Sequence, residues 1–120
     1  MSLVVMNASI ALLFSISQLI VMSTGVTAAD PADVSRGNKI YVKYCSGCHG
    51  TQGQGDGYRL LGPDPAILLS PETQERSDAD LLFTIHHGKP NMPAWKYRLS
   101  PQDSREVLAY IRSLQPERSQ

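Results

Sequence analysis

The chain has only two cysteines, Cys45 and Cys48, spaced as Cys45-Ser46-Gly47-Cys48 and followed at once by His49. Two thiols three positions apart at the end of a helix can each add across one vinyl group of a haem, and the next residue then directs its imidazole at the iron. Three other uses of a Cys pair compete. A thioredoxin-like redox dithiol shares the spacing but needs a sheet and a strand-helix-strand pattern, which this Gly- and Pro-punctuated sequence lacks. A structural disulfide across so short a loop, or a zinc site completed by His49 and another His, does not account for the Cys-Cys-His order.

An iron held by His49 needs a second axial ligand if its coordination is to be closed, and Asn91-Met92-Pro93 offers a thioether in a proline-stiffened loop. A thioether is a soft, neutral donor that favours ferrous over ferric iron, so His/Met ligation raises the reduction potential relative to His/His. Met92 also has an ordinary reading as a gap-filling core residue. Against that, the other three methionines all fall within the first 22 residues, and Met92 sits in a polar segment between Pro90 and Pro93. His86 and His87 are the rival ligands, although in the last turn of a helix a histidine gains from the helix dipole without any metal. If it lies on the inner face of its helix, His86 is expected to pack near the haem edge.

These groups have to be positioned by helices. The first is expected to open with Asp33 as N-cap and to carry Val34, Ile40, Tyr41 and Tyr44 toward Cys45. From Gly47 to Pro65 the chain is rich in Gly, holds two Pro and has no apolar period, which predicts a loop long enough to be functional. Ser77-Asp78-Ala79-Asp80 resembles a capping box for a second helix through Leu81, Leu82 and Ile85, stopped by Gly88. Lys89 to Leu99 is a further loop. Ser100-Pro101 then sets an N-cap with proline at the first helical position, followed by the stripe Val107, Leu108, Tyr110, Ile111 and Leu114. The fold class is therefore all-α: three or four helices joined by long loops, with no convincing strand.

The 120 residues are enough for one domain. The first 29 hold no charged side chain, and Leu3 to Met22 is mostly apolar before the small-residue run Ser23 to Ala29. That pattern is an export signal cleaved after Ala28 or Ala29, or, being about twenty apolar residues long, an uncleaved anchor. Both readings place residues 30–120 outside the cytoplasm, in the periplasm, with a membrane association only if the segment is retained. The remaining domain, about ninety residues, buries a marginal core, so a bound cofactor is expected to supply part of it. Its eleven basic and eleven acidic residues balance, which excludes a nucleic-acid-binding charge pattern and a polybasic membrane patch.

Four blocks in order resemble the class I monohaem cytochromes c, and are similar to the haem subunits of cbb3-type oxidases. They are Gly37-Asn38-Lys39-Ile40-Tyr41 leading to Cys45-Ser46-Gly47-Cys48-His49-Gly50; Gly53-Gln54-Gly55-Asp56-Gly57; Leu81-Leu82-Phe83-Thr84-Ile85 with Gly88 and Met92-Pro93-Ala94-Trp95; and Leu99-Ser100 with Ala109-Tyr110-Ile111. The resemblance implies a small cytochrome c fold in which three or four helices enclose one covalently attached haem c. Its first and last helices cross near Gly37, Tyr41 and Tyr110. It also implies a backbone carbonyl near Pro63 or Pro65 that accepts the Nδ1 proton of His49. Arg59, Trp95 and the Lys96-Tyr97-Arg98 stretch become candidate partners of the haem propionates.

The expected activity is single-electron transfer between redox partner proteins of a respiratory or dehydrogenase chain, with Cys45 and Cys48 attaching the haem and His49 and Met92 closing the iron. On this reading the chain is an electron carrier and not an enzyme, and a local patch including Lys43, Lys89 and Lys96 docks its partners. A peroxidase-like or gas-binding haem protein with a labile sixth ligand is the alternative, and only His86 or His87 offers it a distal acid-base group.

Overall fold

A computed structural model describes residues 29–59 and 67–115. The described chain forms helices α1 (Pro31–Tyr44), α2 (Ser46–His49), α3 (Pro71–Gln74), α4 (Asp78–His87) and α5 (Pro101–Ser113), with a 3-10 turn at Trp95–Tyr97 before α5. No strand occurs among the described residues; the nearest thing to one is an isolated antiparallel bridge between Lys89 and Met92. The all-α expectation holds.

Helix α1 starts three residues earlier than expected. Asp30 is its N-cap, its carboxylate accepting from the Ala32 N–H at 2.7 Å, and Pro31 occupies the first turn. Proline tolerates that position because its φ is already helical and its missing N–H has no intrahelical partner to lose. Asp33 instead lies inside the first turn, where its carboxylate pairs with Arg36. At the other end of the chain the expected cap is present. The Ser100 hydroxyl accepts from the Asp103 N–H and the Asp103 carboxylate accepts from the Ser100 N–H, a reciprocal capping box with Pro101 behind it.

Helices α1 and α5 pack along their lengths and form the frame. Gly37 lets the backbones meet, and Tyr41 and Tyr110 fill the crossing with ring centroids 5.2 Å apart. Tyr41 and Val107 are fully buried there. Leu81 and Ile85 of α4 and Leu108 and Ile111 of α5 continue the core. Arg112 of α5 clips the turn before α4: its guanidinium donates to the carbonyls of Gln74 and Arg76, each at 2.7 Å, and to Asp78 Oδ1. No helix among the described residues is long and apolar enough to cross a membrane. The leader expected over residues 1–29 lies, apart from Ala29, outside the described residues.

The α1–α5 frame carries a pH dependence. The Gln102 amide (3.0 Å) and the Arg36 guanidinium (2.8 Å) donate to Glu106 Oε1 and hold its carboxyl below the usual glutamate range; the Ser100 hydroxyl does the same for Asp103. A carboxyl depressed by folding stabilises the native state above its unfolded pKa, about 4.3 for Glu, and that stability is lost as pH falls through the folded value. The unfolding midpoint is therefore expected to be flat near neutrality and to fall below about pH 4. In Glu106→Gln the acid limb should be shallower. Parallel melting curves for the two proteins from pH 7 to pH 3 would show that Glu106 carries none of this dependence.

Candidate functional site

The end of α1, the turn α2, α4, α5 and the loop that follows α4 surround a cavity of about 440 Å³. Cofactor pockets run to about 300–1,000 Å³. Cys45, the C-cap of α1, and Cys48 and His49 of α2 all line it. The Gly-rich segment after α2 fixes that turn. A four-residue helix leaves its carbonyls without internal partners. Here Gly47 O accepts from the Arg59 N–H at 2.7 Å, Cys48 O from Gly57 at 3.1 Å and His49 O from Gly55 at 2.8 Å. The segment expected to be loop from Gly47 onward therefore begins with a helical turn, and its glycines act as backbone donors to it. The buried Tyr41 hydroxyl adds a bond to Gly50 O at 2.7 Å, and burial pushes its phenol well above the ordinary value, so it remains a neutral donor.

Both thiols are free and half-buried. Burial, reinforced by the neighbouring Cys48, pushes the Cys45 thiol up to about 12. A dithiol redox centre needs the opposite, a thiolate favoured by cations or a helix N-terminus. No group of three or more His, Cys, Asp and Glu side chains among the described residues is arranged to hold a metal ion, so the zinc alternative also lacks a site there.

Met92 lines the same cavity. Its loop is tied by the reciprocal backbone pair Lys89 N–H to Met92 O (3.0 Å) and Met92 N–H to Lys89 O (2.9 Å), directly after Gly88 stops α4. Trp95 also lines the cavity and packs on Tyr44 with centroids 5.3 Å apart. The rival histidines do not line it. His86 Nε2 lies 2.7 Å from the hydroxyl of the fully buried Ser104 on α5, and His87 Nδ1 lies 3.1 Å from Phe83 O with its ring stacked on Phe83. His86 thus faces α5 and not the cavity.

Of the candidate propionate partners, Arg59 and Trp95 line the cavity and Lys96, Tyr97 and Arg98 do not. Pro63 and Pro65 lie outside the described residues. Arg76, Thr84 and Leu68 line the cavity without having been picked out from sequence. Leu68 belongs to a short apolar run and Thr84 to the α4 pattern, but no sequence signal distinguishes Arg76.

The lining suits a large, flat, mostly apolar cofactor with acidic substituents: aliphatic walls from Leu81, Ile85, Leu108 and Ile111, two thiols beside an imidazole, and cations from Arg59, Arg76 and Lys89. Fold and site together define a small c-type cytochrome domain with one covalently bound haem c. The family model for cytochrome C oxidase, cbb3-type, subunit III matches residues 32–111, and the chain belongs to that family. It is 32% identical over 92 residues to the cbb3-type cytochrome c oxidase subunit FixP of Bradyrhizobium diazoefficiens, covering 76% of this chain and 31% of that protein. It is 33% identical over 92 residues to the cytochrome bc1 complex cytochrome c subunit of Corynebacterium diphtheriae, with the same coverage. The chain therefore spans about a third of the length of these relatives. It is also 30% identical to cytochrome c6 of Thermosynechococcus vestitus, covering 70% of this chain and 72% of that one. Among solved structures it resembles the KustC0563 c-type cytochrome at a TM-score of 0.56 and 28% identity, covering 67% of this chain and 98% of that chain.

Proposed function

We propose that residues 30–120 form an exported, periplasmic electron carrier or electron-accepting subunit, with Cys45 and Cys48 as the haem attachment points, His49 as proximal ligand and Met92 as distal ligand. The observation that carries this reading is that the Cys-Cys-His turn and Met92 line one cavity while His86 and His87 engage Ser104 and Phe83 elsewhere. Haem c supplies an iron that gains and loses one electron. The chain's residues do the rest. His49, its turn held by the backbone of the Gly-rich segment, and Met92, its loop held by the Lys89 pair, would be the two protein ligands to the iron and would leave it no position for a substrate, as befits a carrier rather than an enzyme. The aliphatic walls exclude water and, with the thioether, favour the ferrous state. Lys43, Lys89 and Lys96, all exposed, supply a basic patch for redox partner proteins of a respiratory or dehydrogenase chain. The retained or cleaved state of the leader decides whether the domain is held at a membrane.

Met92→Ala tests the assignment. The parent ferric protein should show the weak long-wavelength charge-transfer band of Met-ligated haem. The variant should lose the band, have a lower reduction potential, and bind carbon monoxide rapidly in the ferrous state. A variant that keeps the parent spectrum and potential removes Met92 as ligand. Rapid carbon monoxide binding by the parent would instead favour the labile-ligand, peroxidase-like or gas-binding reading.

A further inference from the structure

Among its described lining residues the cavity carries three formal cations, Arg59, Arg76 and Lys89, and no Asp or Glu. Arg59 and Lys89 are exposed, and the Arg59 guanidinium lies over the Tyr58 ring at 5.5 Å. Arg76 is half-buried, and its guanidinium makes no hydrogen bond, ion pair or ring contact with any described residue. A cation withdrawn from water against apolar walls is costly unless an anion meets it. Its backbone, by contrast, is fully engaged: the Arg76 carbonyl accepts from Arg112 Nη2 at 2.7 Å. The same guanidinium holds Gln74 O at 2.7 Å, Gln74 Oε1 at 3.2 Å and Asp78 Oδ1 at 2.7 Å. The turn is thus rigid while the side chain at its centre is left for a ligand.

We propose that Arg76 binds an acid substituent of the haem, donating from its planar guanidinium to the carboxylate and, with Arg59, balancing the cofactor's negative charge. The inference rests on the haem-binding reading of the cavity and extends it to a residue outside the attachment motif. Arginine suits the role because its fork matches a carboxylate bidentately, and a turn already held by Arg112 loses little freedom on binding. Partial burial limits solvent screening of the pair. A cation held at this place opposes the additional positive charge of ferric iron and favours the reduced state.

The test uses the haem-loaded protein and its variants Arg76→Gln, Arg76→Lys and Arg105→Gln. The last removes the same charge from an exposed arginine bonded to Gln102. Arg76→Gln should leave the fold intact, since Arg112 grips the residue-76 carbonyl and not its side chain. At the parent's midpoint potential, the ferrous-to-ferric ratio of Arg76→Gln should fall about tenfold, a shift of about 59 mV for a one-electron couple. The ionisation seen in potential against pH should also move to higher pH, because the acid substituent has lost its cation. Arg76→Lys should retain most of both properties and Arg105→Gln should change neither. If Arg76→Gln tracks Arg105→Gln in both potential and pH profile, Arg76 does not hold the substituent and the proposal fails while the haem reading stands. If the parent's pigment is extracted by acid and solvent, the covalent-haem reading fails and the proposal falls with it.

Discussion

Gly37→Ala is expected to unfold about 10–20 °C below the parent at equal haem loading. A Cβ at this position would stand 2.0 Å from Glu106 O, 2.6 Å from Glu106 C and 2.9 Å from Tyr110 Cβ. Two of the three atoms are backbone, so no side chain can swing aside and α5 itself has to move. Alanine raises helix propensity by about 1 kcal/mol, whereas forcing extra volume into a packed contact costs about 1–3 kcal/mol and occasionally more. Backbone against backbone belongs at the upper end. A net loss of about 2–3 kcal/mol gives the stated shift at about 4–8 °C per kcal/mol in a domain of this size. The displacement reaches further than the contact, because Glu106 holds Arg36 and Gln102, and Tyr110 packs on Tyr41, whose hydroxyl secures Gly50 beside His49. Thermal unfolding followed by far-ultraviolet circular dichroism decides it. A midpoint at or above the parent's would mean that helix propensity wins and that the crossing has room to spare.

The groups legible in sequence are those whose meaning is local. Cys45, Cys48 and His49 announce themselves by spacing, because attachment chemistry constrains neighbours along the chain. The Ser100-Pro101 cap is legible for the same reason, since a capping box closes within four residues. Gly37 and Tyr41 were legible through the resemblance, and the structure places both at the helix crossing. The start of α1 was misplaced because Asp30 and Asp33 are both good caps; Pro31 decides between them, and the Arg36 partnership gives Asp33 a different use. Helix α2 escaped because one turn has no periodicity to detect. Arg76 and the orientation of His86 are tertiary facts. Arg112, 36 positions away, fixes the first, and a buried serine 18 positions away fixes the second. Neither separation leaves a trace in a local pattern.

Gly88→Ala should release the proposed ligand Met92 while leaving its thioether in the chain. Gly88 sits at φ 70° and ψ −168°, a region open essentially to glycine alone, where another residue carries about 1–3 kcal/mol of strain. Its Cβ would also meet Met92 O at 2.3 Å, Pro93 C at 2.8 Å and Ala94 N at 2.9 Å. All three atoms belong to the loop that presents Met92. The cheapest relief is to part the Lys89–Met92 backbone pair, whose two bonds hold that loop closed, because the other side of Gly88 is the end of α4, where Leu81 and Ile85 are buried in the core. Strain of about 2 kcal/mol relieved by release would favour the detached thioether by about thirtyfold over the parent. Ferric Gly88→Ala should therefore lose most of its long-wavelength band, approach the potential of Met92→Ala and admit an added ligand such as imidazole, with helical content preserved. Since both variants leave the Cys45-Cys48-His49 turn untouched, both should keep covalently held pigment. Retention of the parent band and potential in Gly88→Ala would mean that the strain is relieved toward α4, and that Gly88 ends a helix without positioning the ligand.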